Sequence, residues 1–204
     1  YVTFGDPAAL DLAQFTLETW FRRDGTGMTA NTGTGGAYAI PLVTKGVGEA
    51  ENSNVDMNYF LGIRGTDNVL VADFEEGAAG SSPGLNHMVA GTTPITNGVW
   101  HHVAATYDGT TWFIYLDGVL EGTLVAGQPV QSATIQHAAL ASAINSTGVS
   151  QGYFDGILDE ARIWNYARSL GQIRSTINGA ITTATPGLVA RWSLNEGAAS
   201  DVTG

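Results

Sequence analysis

The chain has 204 residues, of which 44% are hydrophobic and only 13% charged, enough apolar material for a real core and too little charge for a disordered chain. Eight Lys and Arg stand against 19 Asp and Glu, a formal net charge of −11, and such a surface repels phosphate backbones and anionic lipid, which argues against a nucleic-acid partner. There is no cysteine, hence no disulfide, thiolate metal site or cysteine nucleophile, and no apolar run approaches the ~18 residues of a membrane span.

The length suits one large β-sandwich or two small domains, and we expect residues 1–204 to form a single domain. The chain begins at Tyr1 with neither an initiator Met nor a signal peptide, so it reads as a fragment of a larger protein, with other domains of the same parent chain beside it. Its acidity suits divalent cations, neutral glycans or basic partners, or serves solubility alone.

In chain order, Phe15 to Arg22 alternates, with Phe15, Leu17, Thr19 and Phe21 on one face and Thr16, Glu18, Trp20 and Arg22 on the other. Asp24 to Gly36 is a loop, and Ala37 to Thr44 a strand in which Pro41 marks an edge or a bulge. Gly46 to Asp56 is an acidic loop; Asn58 to Arg64 and Val69 to Phe74 form a hairpin. Glu75 to Asn97 is Gly-rich and long for a loop, which points to a functional or mobile segment. Trp100 to Gly118, WHHVAATYDGTTWFIYLDG, gives two strands around Asp108-Gly109 and a second turn at Asp117-Gly118. Asp-Gly fits a tight hairpin whose central residues take φ > 0. Strands follow at Val119 to Val125 and Thr134 to Ala141, then a polar loop, Ala143 to Gly152, and a long strand, Tyr153 to Trp164, bent near Gly156. Ser169 to Ile177 is the one helix, with Ser169 as N-cap and Leu170, Ile173 and Ile177 at helical spacing. Leu188 to Leu194 is the last strand and Ala198 to Gly204 a weakly patterned tail. Many short strands separated by turn signals predict a sandwich or jelly roll.

Four blocks carry a resemblance. FTLETW (Phe15 to Trp20), WHHVAATYDG with the following FIYLDG, FDGILDEARIWNYARS (Phe154 to Ser169) and GLVARWSLNEG (Gly187 to Gly197) stand in one order along nearly the whole chain. Together they resemble bacterial laminin-G-like, concanavalin A-like jelly-roll domains and, more distantly, pentraxins. The resemblance implies an all-β fold: an antiparallel two-sheet jelly-roll β-sandwich with one short C-terminal helix before the last strand. It also implies an extracellular or cell-surface protein concerned with adhesion or polysaccharide binding. Fold does not fix function, so the ligand stays open between polysaccharide and protein.

No catalytic residue is assigned. Glucanases on this fold carry an E-x-D-x-x-E type of triplet on one strand, and retaining hydrolysis needs two carboxyls about 5 Å apart. Asp155, Asp159 and Glu160 come nearest, but in a regular strand Glu160 points away from the other two. The resemblance implies a structural calcium near Asp6 and Asp159; the alternatives are a turn residue before Pro7 and a buried carboxylate bonded to amides or to Arg162. The loop matching the pentraxin calcium loop, Ala141 to Gly152, has no Asp or Glu.

Asp73, Glu75 and Glu76 form an acidic cluster, followed by Asn86 and His87. These five residues are the candidate ligand-binding set, for a cation or a sugar, with Trp112, Tyr59 or Tyr38 as an aromatic platform; the alternative is a solvated strand end. His101 and His102 are strand neighbours that face opposite ways, so they cannot chelate together; His102 belongs in or beside the core, hydrogen-bonded and neutral. Glu18 and Arg162 are expected to pair. The functional expectation is a non-catalytic binding or adhesion module, calcium-assisted or not; a structural spacer and a glycan-active hydrolase are the alternatives.

Overall fold

Side chains that alternate along each extended segment divide this chain between two antiparallel sheets facing each other. The structure is a computed structural model and describes residues 1–179, 181 and 184–195. The expected tail, Ala198 to Gly204, and the last two residues of the fourth family block lie outside the described residues.

The strands are β1 (Val2–Gly5), β2 (Phe15–Arg23), β3 (Ala30–Asn31), β4 (Tyr38–Lys45), β5 (Tyr59–Arg64), β6 (Val69–Asp73), β7 (Val89–Pro94), β8 (Trp100–Tyr107), β9 (Thr111–Leu116) and β10 (Val119–Val125). They continue with β11 (Ala138–Leu140), β12 (Ser142–Ile144), β13 (Ser150–Tyr153) and β14 (Gly156–Trp164); the helix α1 (Leu170–Thr176) precedes β15 (Leu188–Trp192). One sheet runs β1-β11-β4-β5-β6-β7 with β3 paired to β4, the other β10-β9-β8-β2-β14-β15; β12 and β13 form a separate pair. The expected all-β jelly-roll sandwich with a short helix before the last strand is what the chain adopts.

Between the sheets lie Phe15, Leu17 and Phe21 of β2, Val103 and Tyr107 of β8, and Trp112 of β9, facing Tyr59, Leu61 and Ile63 of β5, all fully buried. Each such side chain contributes about 1.5–3 kcal/mol through apolar area removed from water. Phe74 stacks on Trp112 at 5.7 Å and lies 4.6 Å from Tyr107, ring centre to ring centre, so the two sheets lock through aromatic contact.

Several expected boundaries shift. The long loop expected at Glu75 to Asn97 contains β7, an edge strand whose VAGTTP lacks the apolar alternation that marks a half-buried strand. The polar loop after Ala141 is a small hairpin, β12 with β13. Tyr153 to Trp164 is broken at Phe154-Asp155, because the Asp155 carbonyl turns aside to accept the Asp24 and Gly25 amides. Pro41 sits at a bulge in an interior strand. At Asp117-Gly118 both residues take positive φ (51° and 72°), as a two-residue hairpin requires. At Asp108-Gly109 only Gly109 does; Asp108 instead accepts the Thr110 and Thr111 amides in a three-residue loop.

The outer faces are covered differently. On the six-stranded sheet α1 lays Ile173 against Ala104 and Tyr115. Ser169 caps that helix reciprocally with Gln172, the expected N-cap. On the seven-stranded sheet Val47 and Met57 of the β4–β5 loop and Ala143 of β12 cover Phe60 and Val71.

Candidate functional site

The outer face of the six-stranded sheet carries an open cleft of about 390 Å³, lined by Trp20, Trp100, Asp159, Glu160, Arg162 and Asn178 among others. Trp20 on β2 lies opposite His102, and Trp100 on β8 opposite Arg22, so the two indoles are diagonal neighbours on one face. Trp20 donates its Nε1–H to the Ile177 carbonyl at 2.8 Å and sits edge-on to His102; Trp100 is 40% exposed.

A bulge builds the acidic wall. Asp159 pairs with Trp20 and Arg162 with Glu18, so β14 spends one residue more than β2 over this stretch. Glu160 takes φ +49°, the left-handed region where a residue with a Cβ is strained. The regular-strand expectation that Glu160 points away from Asp159 therefore fails: both line the same cleft. Glu160 is gripped by Arg191 (2.5 and 3.0 Å) and Arg162 (2.8 and 3.2 Å). Burial is the largest single influence on its carboxyl and pushes upward, but the two guanidiniums together hold it below its ordinary value. Burial dominates at Asp159 and raises it; its Oδ1 is buried without a hydrogen-bond partner.

The other face gathers the expected acidic set. Asp73, Glu75, Glu76 and Asn86 are brought together with His87 under the loops of the seven-stranded sheet, and the first four are buried. Asp73 Oδ2 accepts from Thr32 Oγ1 at 2.7 Å and Asn86 Nδ2 at 3.2 Å. Burial nevertheless pushes Asp73 up to about 8. Glu76 pairs with His87 at 2.7 Å and accepts the Ser82 amide. Glu75, bridged across to Asn86, meets two acids from the β4–β5 loop, Glu51 and Asp56. Burial raises both Glu75 and Asp56; at Glu75 the hydrogen bond and the charge of Asp56 raise it further, whereas at Asp56 the hydrogen bond to Glu75 pulls back against burial. Glu51 and Asp56 join the set from some twenty residues before Glu75, united with it only by strand pairing; the acidic loop they punctuate is their one signal in the sequence.

The implied calcium pair is not gathered. Asp6 bonds the buried Lys45 at 2.5 Å, with Asp11 on the same ammonium at 3.1 Å, so a lysine already supplies the positive charge there. Asp159 lines the tryptophan cleft on the other sheet. Neither joins two further His, Asp or Glu donors among the described residues, and the donors present do not fit a shared ion.

Three other expectations change. Trp112 and Tyr59 are fully buried in the core and offer no platform, whereas Tyr38 is 63% exposed. His102 is buried as expected, but neither ring nitrogen has a hydrogen-bond partner; burial and then Arg162 push it down to about 3. Glu18 does lie 3.7 Å from Arg162, but its close partners are Arg168 at 2.8 Å and the Trp164 indole N–H at 2.9 Å. Arg168 lies at the mouth of α1, beyond the end of β14 that carries Arg162.

Against this geometry stand three comparisons. The model of a laminin G type, the concanavalin A-like lectin/glucanases superfamily, matches residues 1–174. A Bacteroides ovatus structure assigned to carbohydrate binding superposes with TM-score 0.62 at 19% identity, covering 91% of this chain and 46% of that one. The CBM40 of a Ruminococcus gnavus IT-sialidase, bound to α2,3-sialyllactose, gives 0.60 at 14% identity, covering 84% and 91%. In sequence, the rat sushi, von Willebrand factor type A, EGF and pentraxin domain-containing protein 1 is 27% identical over 105 residues, 48% of this chain and 3% of that protein. The structural likenesses show the fold, and the chain spans a small fraction of its curated relative. No described helix is long and apolar enough to cross a membrane.

Proposed function

Because this chain belongs to the concanavalin A-like lectin/glucanases superfamily, we propose that it is a non-catalytic module that binds carbohydrate in the cleft on the outer face of its six-stranded sheet. The observation that carries the reading is the pairing of Trp20 and Trp100 with Asp159, Glu160 and Asn178 around one open cleft. A sugar presents an apolar C–H face and a rim of hydroxyls. It therefore needs an aromatic surface beside planar acceptors and donors, and this cleft supplies both. Asp159 is only partly buried, and its carboxylate edge on the cleft can accept from a hydroxyl.

Glycoside hydrolysis needs two carboxyls free to act. Glu160 is committed to Arg162 and Arg191, which leaves Asp159 alone. That supports binding without turnover. The related carbohydrate-binding structures support a polysaccharide ligand, and the family supports a place outside the cell or at its surface, as one module of a longer chain.

A glycan array probed with the isolated chain tests this, followed by calorimetric titration of the best ligand into wild type, D159N and Asn178→Ala. We expect reproducible binding to a defined sugar class, weakened at least tenfold in both variants, and no new reducing ends after incubation. Binding that survives both variants unchanged would move the site elsewhere; released reducing ends would make the chain a hydrolase.

A further inference from the structure

Three carboxylates from two separate loops converge beyond the end of β6. Glu51 and Asp56 come from the loop between β4 and β5, and Glu75 follows β6; one oxygen from each lies within 4.8 Å of the others. Each carboxylate is anchored through one oxygen by a backbone N–H. Thr34 donates to Glu51 Oε1 (3.1 Å), Met57 to Asp56 Oδ1 (2.9 Å) and Asn52 to Glu75 Oε1 (3.3 Å). The remaining oxygens Asp56 Oδ2 and Glu75 Oε2 are buried and take no N–H or O–H from any other described residue, and the two carboxyls lie within hydrogen-bond reach of each other.

Asn86 supplies an independent pointer. It is 5% exposed and bridges directly across from Glu75. Its Nδ2 donates to the Thr32 carbonyl (2.8 Å) and to Asp73, which fixes the amide and leaves Oδ1 buried and unpartnered. Gly33 shows where that oxygen aims. A Cβ on Gly33 would stand 2.4 Å from Asn86 Oδ1 and 3.5 Å from Glu51 Oε1, so the amide oxygen and the Glu51 carboxylate wall one space. With φ +121° and that contact, position 33 admits only glycine.

We propose that Glu51, Asp56, Glu75 and Asn86 hold one divalent cation of the calcium class. Every donor is a hard oxygen, with no sulfur or imidazole in the set; His87 is spent on Glu76. Calcium takes six to eight oxygens, carboxylates and side-chain amides among them, in flexible geometry, which suits a donor set of three carboxylates and one amide. Magnesium demands near-ideal octahedral geometry and usually keeps several waters beside one or two carboxylates, so a cage of three carboxylates and an amide suits it less. Glu51 is exposed and lines a surface cleft of about 310 Å³ with Thr34, Ser82 and Leu85, which gives the ion an entry and open coordination positions. Once bound, the ion ties the β4–β5 loop to the segment after β6. This site lies on the face opposite the tryptophan cleft and does not depend on the carbohydrate reading.

The test is calcium titration of the chelator-stripped chain by calorimetry, with thermal melts in chelator and in 5 mM calcium or magnesium (concentrations on the order of those that fill extracellular calcium modules). We expect one calcium per chain, a dissociation constant of about 1 mM or tighter, and a melting point raised by calcium more than by magnesium. The rise disappears in Glu75→Gln and in Asp56→Asn, with unchanged circular dichroism, and persists in D159N. Wild type alone is decisive if those variants fail to fold. No heat and no melting shift would overturn the proposal, as would a shift equal for magnesium or retained in both loop variants.

Discussion

Glu18 and Glu75 are both fully buried, one on each outer face of the sandwich, and their neighbours have opposite sign. Glu18 receives Arg168 and the Trp164 N–H, with Arg162 close by. Glu75 faces Asp56 and Glu51, and among the described residues no Lys or Arg comes within ion-pair distance of it. A buried charge must be neutralised by something. The face under α1 carries its own counter-cations, Arg162 from β14 and Arg168 from the segment just before α1. The face under the loops does not: between Gly46 and Val99 the sequence offers Arg64 alone against Glu49, Glu51, Asp56, Asp67, Asp73, Glu75 and Glu76, and Arg64 is bound to Asp67. What neutralises that face comes from outside the chain, as a proton or a cation.

The largest expected effect breaks the well-paired side. Arg168→Met leaves Glu18 buried without its close partner and is expected to cost about 3–5 kcal/mol, read by urea denaturation. Adding E18Q is expected to restore much of the loss, because the orphaned charge goes with its partner. A single variant as stable as wild type would show that Arg162 and the Trp164 N–H already suffice.

His102 tests the same face through pH. It stands near two arginines, and burial first, then Arg162, pushes it down to about 3 from an ordinary 6.5. The unfolded chain therefore binds this proton at a pH where the folded chain does not. Stability is full above pH ~6.5 and falls as the pH drops toward about 3, by roughly 1.4 kcal/mol per pH unit at its steepest from this group. Carboxylates titrate in the same window, so the informative quantity is the difference in slope between wild type and His102→Gln. Equal slopes would mean that His102 takes up its proton in the folded state.

The contrast between the two faces also explains what could be read without a structure. Alternation in Phe15 to Arg22, the β-branched and aromatic hairpin strands and the Ser169 cap are local signals, and they carried most of the fold. Strand β7 was invisible because an edge strand with exposed Thr92, Thr93 and Pro94 has no apolar period. Glu160 was misplaced because a bulge shifts register by one residue, and nothing local in LDEARIW announces it. On the loop face, Asp73, Glu75, Glu76, Asn86 and His87 were legible as a cluster since they flank one short stretch. Their burial and their meeting with Glu51 and Asp56 were not, because both depend on how the loops fold back over Val71 and Phe60.

On the loop-covered face the sign of a charge deletion should reverse. In chelator, Glu75→Gln removes one of three facing carboxylates and leaves a group that can donate to Asp56. Stability is expected to hold or rise by about 1 kcal/mol, against the large loss from the Arg168 variant. A loss of several kcal/mol would mean that Glu75 has a counter-charge of its own, and the asymmetry between the faces would disappear.

The smallest effect on stability belongs to Trp100, and it separates a binding surface from a structural one within the six-stranded sheet. Trp112 is fully buried and touches Phe15, Phe74 and Tyr107, so Trp112→Ala is expected to cost about 3–5 kcal/mol through the cavity it leaves. Trp100 is 40% exposed, with Arg22 5.8 Å above its ring. Truncating it to alanine is expected to cost less than about 1 kcal/mol, since exposed positions rarely cost more. On the carbohydrate reading its exposed ring is a platform of the cleft. The same variant is therefore expected to lose at least tenfold in carbohydrate affinity, about 1.4 kcal/mol. If Trp100→Ala destabilises the fold as much as the core variant does, its exposed ring is scaffold, and the cleft loses its platform.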